Sequence, residues 1–380
     1  MPNLFIASGI FHPESGGPAT YLHEILPHLQ ARGWEVRLLT FADHADMGGS
    51  YPYPVTRIPR TSLISRMRAY ASAARSLMRW GDVTYLHTLG LPLIGGGSPR
   101  VVKIVGDVAW ERAVRKGWIT PTTDIDDFQA QRYSLQAEIG KFTRAREARR
   151  MDAIIVPSEY LGRMVAGWGV DPSKIHVIYN AMPPIASHQA GEALSQHEAR
   201  RRLTLPDAPT ILTVGRILPW KGVDHLITAV SRLSDVRLIV AGDGDRLDSL
   251  KAMAGQLRVA DRVAFTGKIS REQVDLYMRA ADYTALYSGY EGLSHTLLES
   301  LRAGTPCIAS DKGGNPEVIR QRENGLLVPY VNVDALTEAI REAFTPGLRD
   351  RLAANATIGM ERFEYGRMVE STDAVLRSML

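Results

Sequence analysis

The sequence predicts an α/β fold built from two Rossmann-like, doubly wound domains that face each other across a cleft. Three observations carry that expectation. Short apolar runs alternate with helical patterns along the chain. The runs are continuous rather than alternating, as expected for parallel strands covered on both faces. The series is interrupted once, at about residues 181 to 209, where AMPPIASHQAG carries prolines and small residues without a period. With 380 residues, 45% of them hydrophobic and 23% charged, the chain has room for two ordinary globular cores.

In chain order, MPNLFIASGIF has no basic leader region or cleavage site and is read as a first strand, LFIAS at 4–8, not a signal peptide. TYLHEILPHLQARG (20–33) follows as a helix stopped by Gly33. VRLLT (36–40), VTYLH (83–87), VVKIV (101–105), AIIVP (153–157) and IHVIY (175–179) read as further strands. The polar stretch 124–150 reads as helical, and YLGRMVAGWG (160–169) as a shorter helix. After the interruption come TILTVGR (210–216), VRLIVAG (236–242), RVAFTG (262–267), YTALYS (283–288), PCIAS (306–310) and GLLVP (325–329), with helices between them. The expected division is a first domain over 1–183, a linker over 184–208 and a second domain over 209–355.

Composition excludes several classes. One cysteine, Cys307, allows no internal disulfide, and its apolar setting marks a core thiol of a reducing compartment. A net charge of +4 is too small to argue for nucleic acid. No window approaches the roughly 18 apolar residues of a membrane span. There is no solenoid repeat. The expected setting is cytoplasmic.

Chemistry in doubly wound folds gathers beyond the carboxyl ends of the strands, and five stretches sit there. In HPESGGPATYLHE, Gly16 and Gly17 follow the first strand and precede a helix, so their amides can approach an anion. This is not G-x-G-x-x-G, which disfavours a nicotinamide dehydrogenase. In TVGRILPWKG, Arg216 ends a strand and Lys221 follows five residues later, a fork and a compact charge suited to a phosphate pair. In VAGDGDRLDSL, Gly242 and Gly244 make a tight turn, and Asp243 and Asp245 suffice as caps for the next helix, a donor contact at Gly242 being the secondary reading. In AFTGKIS, a glycine after a strand leaves amides free to face a flat base, which makes Gly267 and Lys268 candidate donor-binding residues. The last stretch, GYEGLSHTLLESLRAGTP, puts Glu291 in a loop and Glu299 inside the following helix. The amides of Leu293, Ser294, His295 and Thr296 open that helix as an anion cradle. A carboxylate at Glu299 can accept two hydrogen bonds from a vicinal diol such as a ribose. Hydroxyls, phosphates and a diol in that order describe a nucleotide sugar. A capped helix with two surface glutamates is the plain alternative.

Together these stretches resemble the retaining glycosyltransferases of family 4, of GT-B architecture. The matching segments are SGGPATY (15–21), IIVPSEY (154–160), VIYNAM (177–182), VGRILPWKG (214–222), AGDGD (241–245), FTGKIS (265–270), EGLSHTLLES (291–300), AGTPCIAS (303–310) and GGNPEVI (313–319). The resemblance implies a hexosyl transfer from a UDP- or GDP-sugar to a hydroxyl of a glycan or lipid-linked acceptor, in polysaccharide or glycolipid synthesis, with retention and without a metal or other cofactor. It implies that Glu299 binds ribose, Arg216 and Lys221 the diphosphate and Glu291 the donor sugar, with Gly16 and Gly17 closing over the phosphates. It also implies that the last helix, 356–380, returns to the first domain. A retaining hydrolase would need two carboxylates about 5 Å apart at the sugar carbon, and no such pair is identifiable. Same-face attack, with a leaving phosphate oxygen as base, is the family-based mechanism. A nucleotide-sugar epimerase, another enzyme of this fold and a non-catalytic nucleotide-sugar-binding module are the alternatives.

One departure stands out. Many family members carry a histidine after a strand of the first domain. Here VVKIVGDVAWERA has Gly106 and Asp107 in its place. Asp107 is read as taking over a sugar or acceptor contact and grouped with Arg216, Lys221 and Glu291 as catalytic, its other reading being a cap for AWERAVRKG. On the acceptor side, residues 61–80 carry Arg66, Arg68, Arg75 and Arg79 without an acid. Such a helix suits an anionic membrane surface, or else packs its apolar face on the core. TDIDDF contains a D-x-D, Asp124 and Asp126, read as acids at a helix start and not as a metal site.

Overall fold

The computed structural model describes residues 1–14, 16–44, 49–182 and 194–380. The chain divides into two compact units: Met1–Ala113, Tyr133–Pro183 and Tyr365–Leu380 form the first, and Val114–Arg132 with Pro184–Glu364 the second.

The first unit holds a seven-stranded sheet of β1 (Asn3–Ala7), β2 (Glu35–Ala42), β3 (Val55–Pro59), β4 (Val83–Leu86), β5 (Arg100–Lys103), β6 (Ala153–Val156) and β7 (Ile175–Val177), in the order β3-β2-β1-β4-β5-β6-β7. Every pairing is parallel. The β3 strand lay outside the sequence reading. VTRIP is an edge strand bounded by proline and none of its residues is fully buried, so it lacks the apolar run that marks the others. Helices α1 (Gly17–Ala31) and α2 (Leu63–Trp80) follow β1 and β3, and α3 (Val108–Arg115) follows β5. The stretch read as one helix over 124–150 is two, α4 (Ile125–Ala130) and α5 (Leu135–Ala148). Each is restarted by its own cap: Asp124 accepts the Asp126 amide, and Ser134 the Ala137 amide. The α4 helix, with all of 114–132, belongs to the second unit. The α6 helix (Glu159–Gly167) connects β6 and β7.

The second unit holds β8 (Thr210–Val214), β9 (Arg237–Ala241), β10 (Val263–Gly267), β11 (Tyr283–Leu286), β12 (Cys307–Ser310) and β13 (Gly325–Val328), in the order β10-β9-β8-β11-β12-β13, again all parallel. Its helices are α7 (Gln196–Arg202), α8 (Val223–Ser231), α9 (Leu247–Gln256), α10 (Arg271–Ala280), α11 (His295–Arg302), α12 (Asn315–Val318), α13 (Val333–Ala343) and α14 (Leu348–Ala354). Of the expected linker, residues 184–193 lie outside the described residues. The rest is not free chain. Arg200 on α7 pairs with Asp282 at 2.7 Å and donates to the Ala280 carbonyl, and Gln196 donates to Asp282 as well. These bonds hold α7 to the residues that enter β11. The final helix, α15 (Tyr365–Arg377), belongs to the first unit. The Trp34 indole donates to Asp373 at 2.6 Å, and the Arg377 guanidinium donates to the Arg32 carbonyl at 2.6 Å.

In each sheet the strand order reverses once, between β1 and β4 and between β8 and β11. That reversal opens a crevice at the carboxyl ends of the two central strands.

Candidate functional site

In the second unit the crevice between β8 and β11 collects the charged residues. The chain leaves β8 through Gly215 and Arg216 and makes a short turn, Pro219–Lys221, before α8. Gly222 has φ +65, and a Cβ there would lie 1.9 Å from the Tyr287 carbonyl oxygen, so only glycine lets this loop lie against the end of β11. The Gly289 amide then donates to the Trp220 carbonyl at 2.8 Å. The two loops are thereby stapled backbone to backbone, and Lys221 is carried to Glu291. Its ammonium lies 2.5 Å from the carboxylate, with side-chain exposures of only 21% and 15%. The Arg216 side chain is exposed and, among the described residues, makes no ion pair or hydrogen bond, while its backbone carbonyl accepts the Leu218 amide at 2.9 Å. It shares a recess with Lys221, Gly215, Thr213, Val240 and Leu286 at the carboxyl ends of β8, β9 and β11.

The loop carrying Glu291 is held from behind. The Gly314 amide donates to the Glu291 carbonyl at 2.9 Å. A Cβ on Gly313, whose φ is +63, would meet that same carbonyl oxygen at 2.2 Å. The fully buried Asn315 donates to the backbone carbonyl and hydroxyl of Ser310, and the Ser310 hydroxyl donates to the Ser288 carbonyl. GGNPEVI therefore fixes the Glu291 loop to the ends of β11 and β12.

Helix α11 begins at His295, with Ser294 as its cap. The Ser294 hydroxyl accepts the Leu297 amide at 3.4 Å. Leu293 and Ser294 are buried, while His295 and Thr296 are half-buried in the first turn. Glu299 is half-buried in the second turn, and its charge partly offsets the burial that pushes the Arg302 guanidinium down. The Gly242 N–H is engaged within the fold: it donates to the Gly267 carbonyl at 2.9 Å, tying the turn after β9 to the end of β10. Asp243 and Asp245 do not cap α9. Its cap position is Arg246, without a side-chain bond, and the Asp243 carboxylate accepts the neighbouring Gly244 amide. Lys268 is exposed just past β10. Asp124 caps α4 and pairs with Lys312 at 2.5 Å.

In the first unit, Gly16 and Gly17 open α1. Asp107 corrects the sequence reading. It is fully buried, one carboxylate oxygen accepts the Ala109 and Trp110 amides, and the other pairs with Arg144. The Arg144 guanidinium stacks over Trp168 at 4.0 Å. Asp107 is thus a helix cap and half of a buried ion pair, with no oxygen turned to solvent for a sugar. Sequence reasoning passed over Lys103, the one lysine in VVKIV. It is buried, its ammonium has no hydrogen-bond partner among the described residues and lies 3.8 Å from the Tyr21 ring centroid, and burial pushes it down to about 7. Among the described residues no cluster of three or more His, Cys, Asp or Glu could hold a metal, and no helix is long and apolar enough to cross a membrane. Cys307 is buried, which pushes its thiol up to about 12.

Comparisons with known proteins meet this geometry. Residues 15–184 match the family model for Glycosyltransferase Family 4, and residues 195–358 that for Glycosyl transferases group 1. The chain is 33% identical over 175 residues to a GDP-mannose-dependent alpha-(1-6)-phosphatidylinositol monomannoside mannosyltransferase of Mycobacterium tuberculosis, covering 43% of the chain but only 45% of that enzyme. The chain thus spans about half the length of this relative. It is 27% identical to the alpha-monoglucosyldiacylglycerol synthase of Streptococcus pneumoniae over 96% of the chain and 84% of the relative. In fold, it superposes on Anabaena HepE in complex with UDP-glucose with a TM-score of 0.76, over the full length of both chains at 19% identity.

Proposed function

We propose, from the premise that the chain belongs to glycosyltransferase family 4 with GT-B architecture, that it moves a hexosyl group from a UDP- or GDP-sugar to a hydroxyl of a glycan or lipid-linked acceptor. The observation that carries this is the Lys221–Glu291 pair beside the unpartnered Arg216 in the β8–β11 crevice. Lys221 and Arg216 take the diphosphate. As the bond from the sugar carbon to the phosphate oxygen breaks, its electron pair goes to that oxygen, and the two cations are already in place to stabilise the charge. Glu291 orients Lys221 and receives donor hydroxyls, and Glu299 takes the ribose diol. The amides at the start of α11 add their dipole. In the first unit, the Gly16 and Gly17 amides are phosphate donors.

The proposed stereochemistry is retention. The acceptor oxygen attacks the face the diphosphate leaves, and the acceptor proton passes to the leaving phosphate oxygen. The two cations fill the role a divalent ion has elsewhere, so no metal is required. A GDP-mannose-dependent relative and a fold neighbour holding UDP-glucose support a nucleotide sugar as donor. A glucosyldiacylglycerol synthase among the relatives supports a lipid acceptor, and with it peripheral work at the cytoplasmic face of a membrane, with contact through residues 61–80. The test is a donor and acceptor panel run with excess chelator, reading nucleotide release and the anomer of the product. Release that survives chelation, with the donor's anomeric configuration kept, is the expected result. An inverted product, loss of turnover on chelation, or no release from any pair contradicts the respective part of the reading.

A further inference from the structure

The D-x-D of TDIDDF has no part in the proposed transfer, yet Asp124 reaches the loop that holds Glu291. Residues 114–132 interrupt the sequence of the first unit and pack as part of the second. Within that segment Asp124 caps α4, and its two carboxylate oxygens do different work. Oδ1 accepts the Asp126 amide at 2.8 Å. Oδ2 pairs with the Lys312 ammonium at 2.5 Å, with side-chain exposures of 23% for Asp124 and 29% for Lys312. Burial lowers the Lys312 ammonium, but the Asp124 bond and the charges of Asp124, Asp311 and Asp126 outweigh it and leave it above its ordinary value.

Lys312 stands just before the two glycines that bear on the Glu291 loop. A Cβ on Gly313 would strike the Glu291 carbonyl, and one on Gly314 would lie 2.3 Å from the Gly292 carbonyl oxygen. The Gly314 amide donates to the Glu291 carbonyl. Two consecutive glycines therefore transmit the position of residue 312 to residues 291 and 292. Asp311 ties the same loop to the sheet: its amide donates to the Val328 carbonyl at 2.9 Å, and its carboxylate accepts the Tyr330 amide at 3.2 Å. The tie of Lys312 to Asp124 joins that loop to α4.

A partly exposed ion pair adds little to stability. Reaction geometry is far steeper, since a misplacement of about 1 Å costs up to roughly a hundredfold in rate. Lys221 holds the Glu291 side chain, and the loop that starts at Lys312 holds its backbone.

We propose that Asp124 and Lys312 are positioning residues for the transfer step: the pair holds the Gly313–Gly314 backbone against Glu291 and so keeps the Glu291 carboxylate at the donor sugar. The inference rests on the transfer reading of the β8–β11 site, and it gives the 114–132 segment a part in that site.

The experiment compares Asp124→Asn, Lys312→Met, their double variant and Lys312→Arg with wild type, all in the full chain. Asparagine caps a helix as well as aspartate does, so Asp124→Asn removes the charge and keeps α4. The readouts are titration with UDP and GDP, kcat and KM for the donor and acceptor pair that turns over in the panel, and amide hydrogen exchange over 289–294 and 311–317. Asp124→Asn and Lys312→Met should each lose about tenfold in kcat, with nucleotide affinity unchanged because Arg216 and Lys221 are untouched. The double variant should lose no more than either single one, because all three remove one interaction. Lys312→Arg keeps the cation and should recover most of kcat. Exchange over both segments should rise in Asp124→Asn and in Lys312→Met. Wild-type kcat in either of these two, additive losses in the double variant, or a loss of nucleotide affinity that matches the loss of kcat overturns the proposal. If the wild type turns over no pair, the transfer reading fails by itself and exchange decides the pair: a rise upholds its hold on the loop, and unchanged exchange overturns that as well.

Discussion

The Lys221 ammonium lies 2.5 Å from the Glu291 carboxylate across two loops stapled by the Trp220–Gly289 backbone bond. A half-buried cation with one acid beside it is held in place before any ligand arrives. On the proposed function the two residues do separable work. Lys221→Ala should weaken UDP or GDP binding by roughly ten- to a hundredfold, the worth of a charge-assisted hydrogen bond. Glu291→Gln should bind the nucleotide diphosphate at least as well as wild type, because Lys221 loses its competitor, while transfer falls by about a hundredfold or more. Isothermal titration beside a turnover assay reads both. Equal losses of nucleotide affinity in the two variants would show that the pair acts only as a structural clasp.

Asp107 should matter for stability and not for the reaction. Its two oxygens serve the α3 amides and Arg144. Removing one partner of a buried pair costs about 3–5 kcal/mol. Asp107→Ala should therefore melt at a clearly lower temperature, while the folded fraction keeps its kcat/KM. An unchanged melting temperature with lost turnover would return Asp107 to the chemistry.

Gly313 offers a test of how the Glu291 loop is held. An alanine at either Gly313 or Gly304 meets a positive φ, +63 or +80, which costs about 1 kcal/mol. Only at Gly313 does the new Cβ also strike the Glu291 carbonyl, at 2.2 Å, whereas Gly304 faces open space. Gly313→Ala should be the less stable of the two and should lose transfer activity, while Gly304→Ala keeps it. Equal melting and equal activity in the pair would mean that the loop has slack at Glu291.

Lys103 sets a pH dependence of stability. Burial lowers its folded-state value from 10.5 to about 7. Between those values the unfolded chain binds more protons than the folded one, so this residue's penalty is complete below about pH 7 and is relieved as pH rises towards 10.5. His87, 2% exposed nearby, is driven down to about 3 by burial first and by the Lys103 charge second. Lys103→Met should raise the melting temperature at neutral pH, with the advantage shrinking as pH climbs through that window. Denaturant midpoints across pH, wild type against variant, decide the matter. A constant difference would show that Lys103 keeps its ordinary proton affinity.

The strands were legible wherever a continuous apolar run met turn residues at its carboxyl end, which accounts for LFIAS, TILTVGR and PCIAS. VTRIP escaped because a half-exposed edge strand between prolines has no such run. The break between α4 and α5 escaped because Ser134 reads as one more polar residue in a polar stretch until its cap bond is seen. Arg216, Lys221 and Glu291 could be singled out because each sits just past a strand end. Their meeting depends on Gly222 and Gly289, which local sequence does not express. Asp107 was misread because its partner, Arg144, lies 37 residues downstream. Nothing near Asp107 announces that a buried guanidinium closes over it. Lys103 was passed over because a single lysine in VVKIV is usually an edge charge, and only the packing of Tyr21 above it shows it buried.

The central claim is that Arg216 and Lys221 form the diphosphate site of a nucleotide-sugar enzyme. The most direct measurement is the melting temperature of the full chain against UDP, GDP, ADP and their sugars, with chelator present, for wild type and for Arg216→Ala. The Arg216 side chain is exposed and has no ion pair or hydrogen bond to lose among the described residues, so the variant should melt like wild type without ligand. The account predicts that one base class stabilises the wild type by about 2.7 kcal/mol at a hundred times its dissociation constant, and that Arg216→Ala loses most of that shift. No shift with any nucleotide, or an undiminished shift in Arg216→Ala, would contradict it.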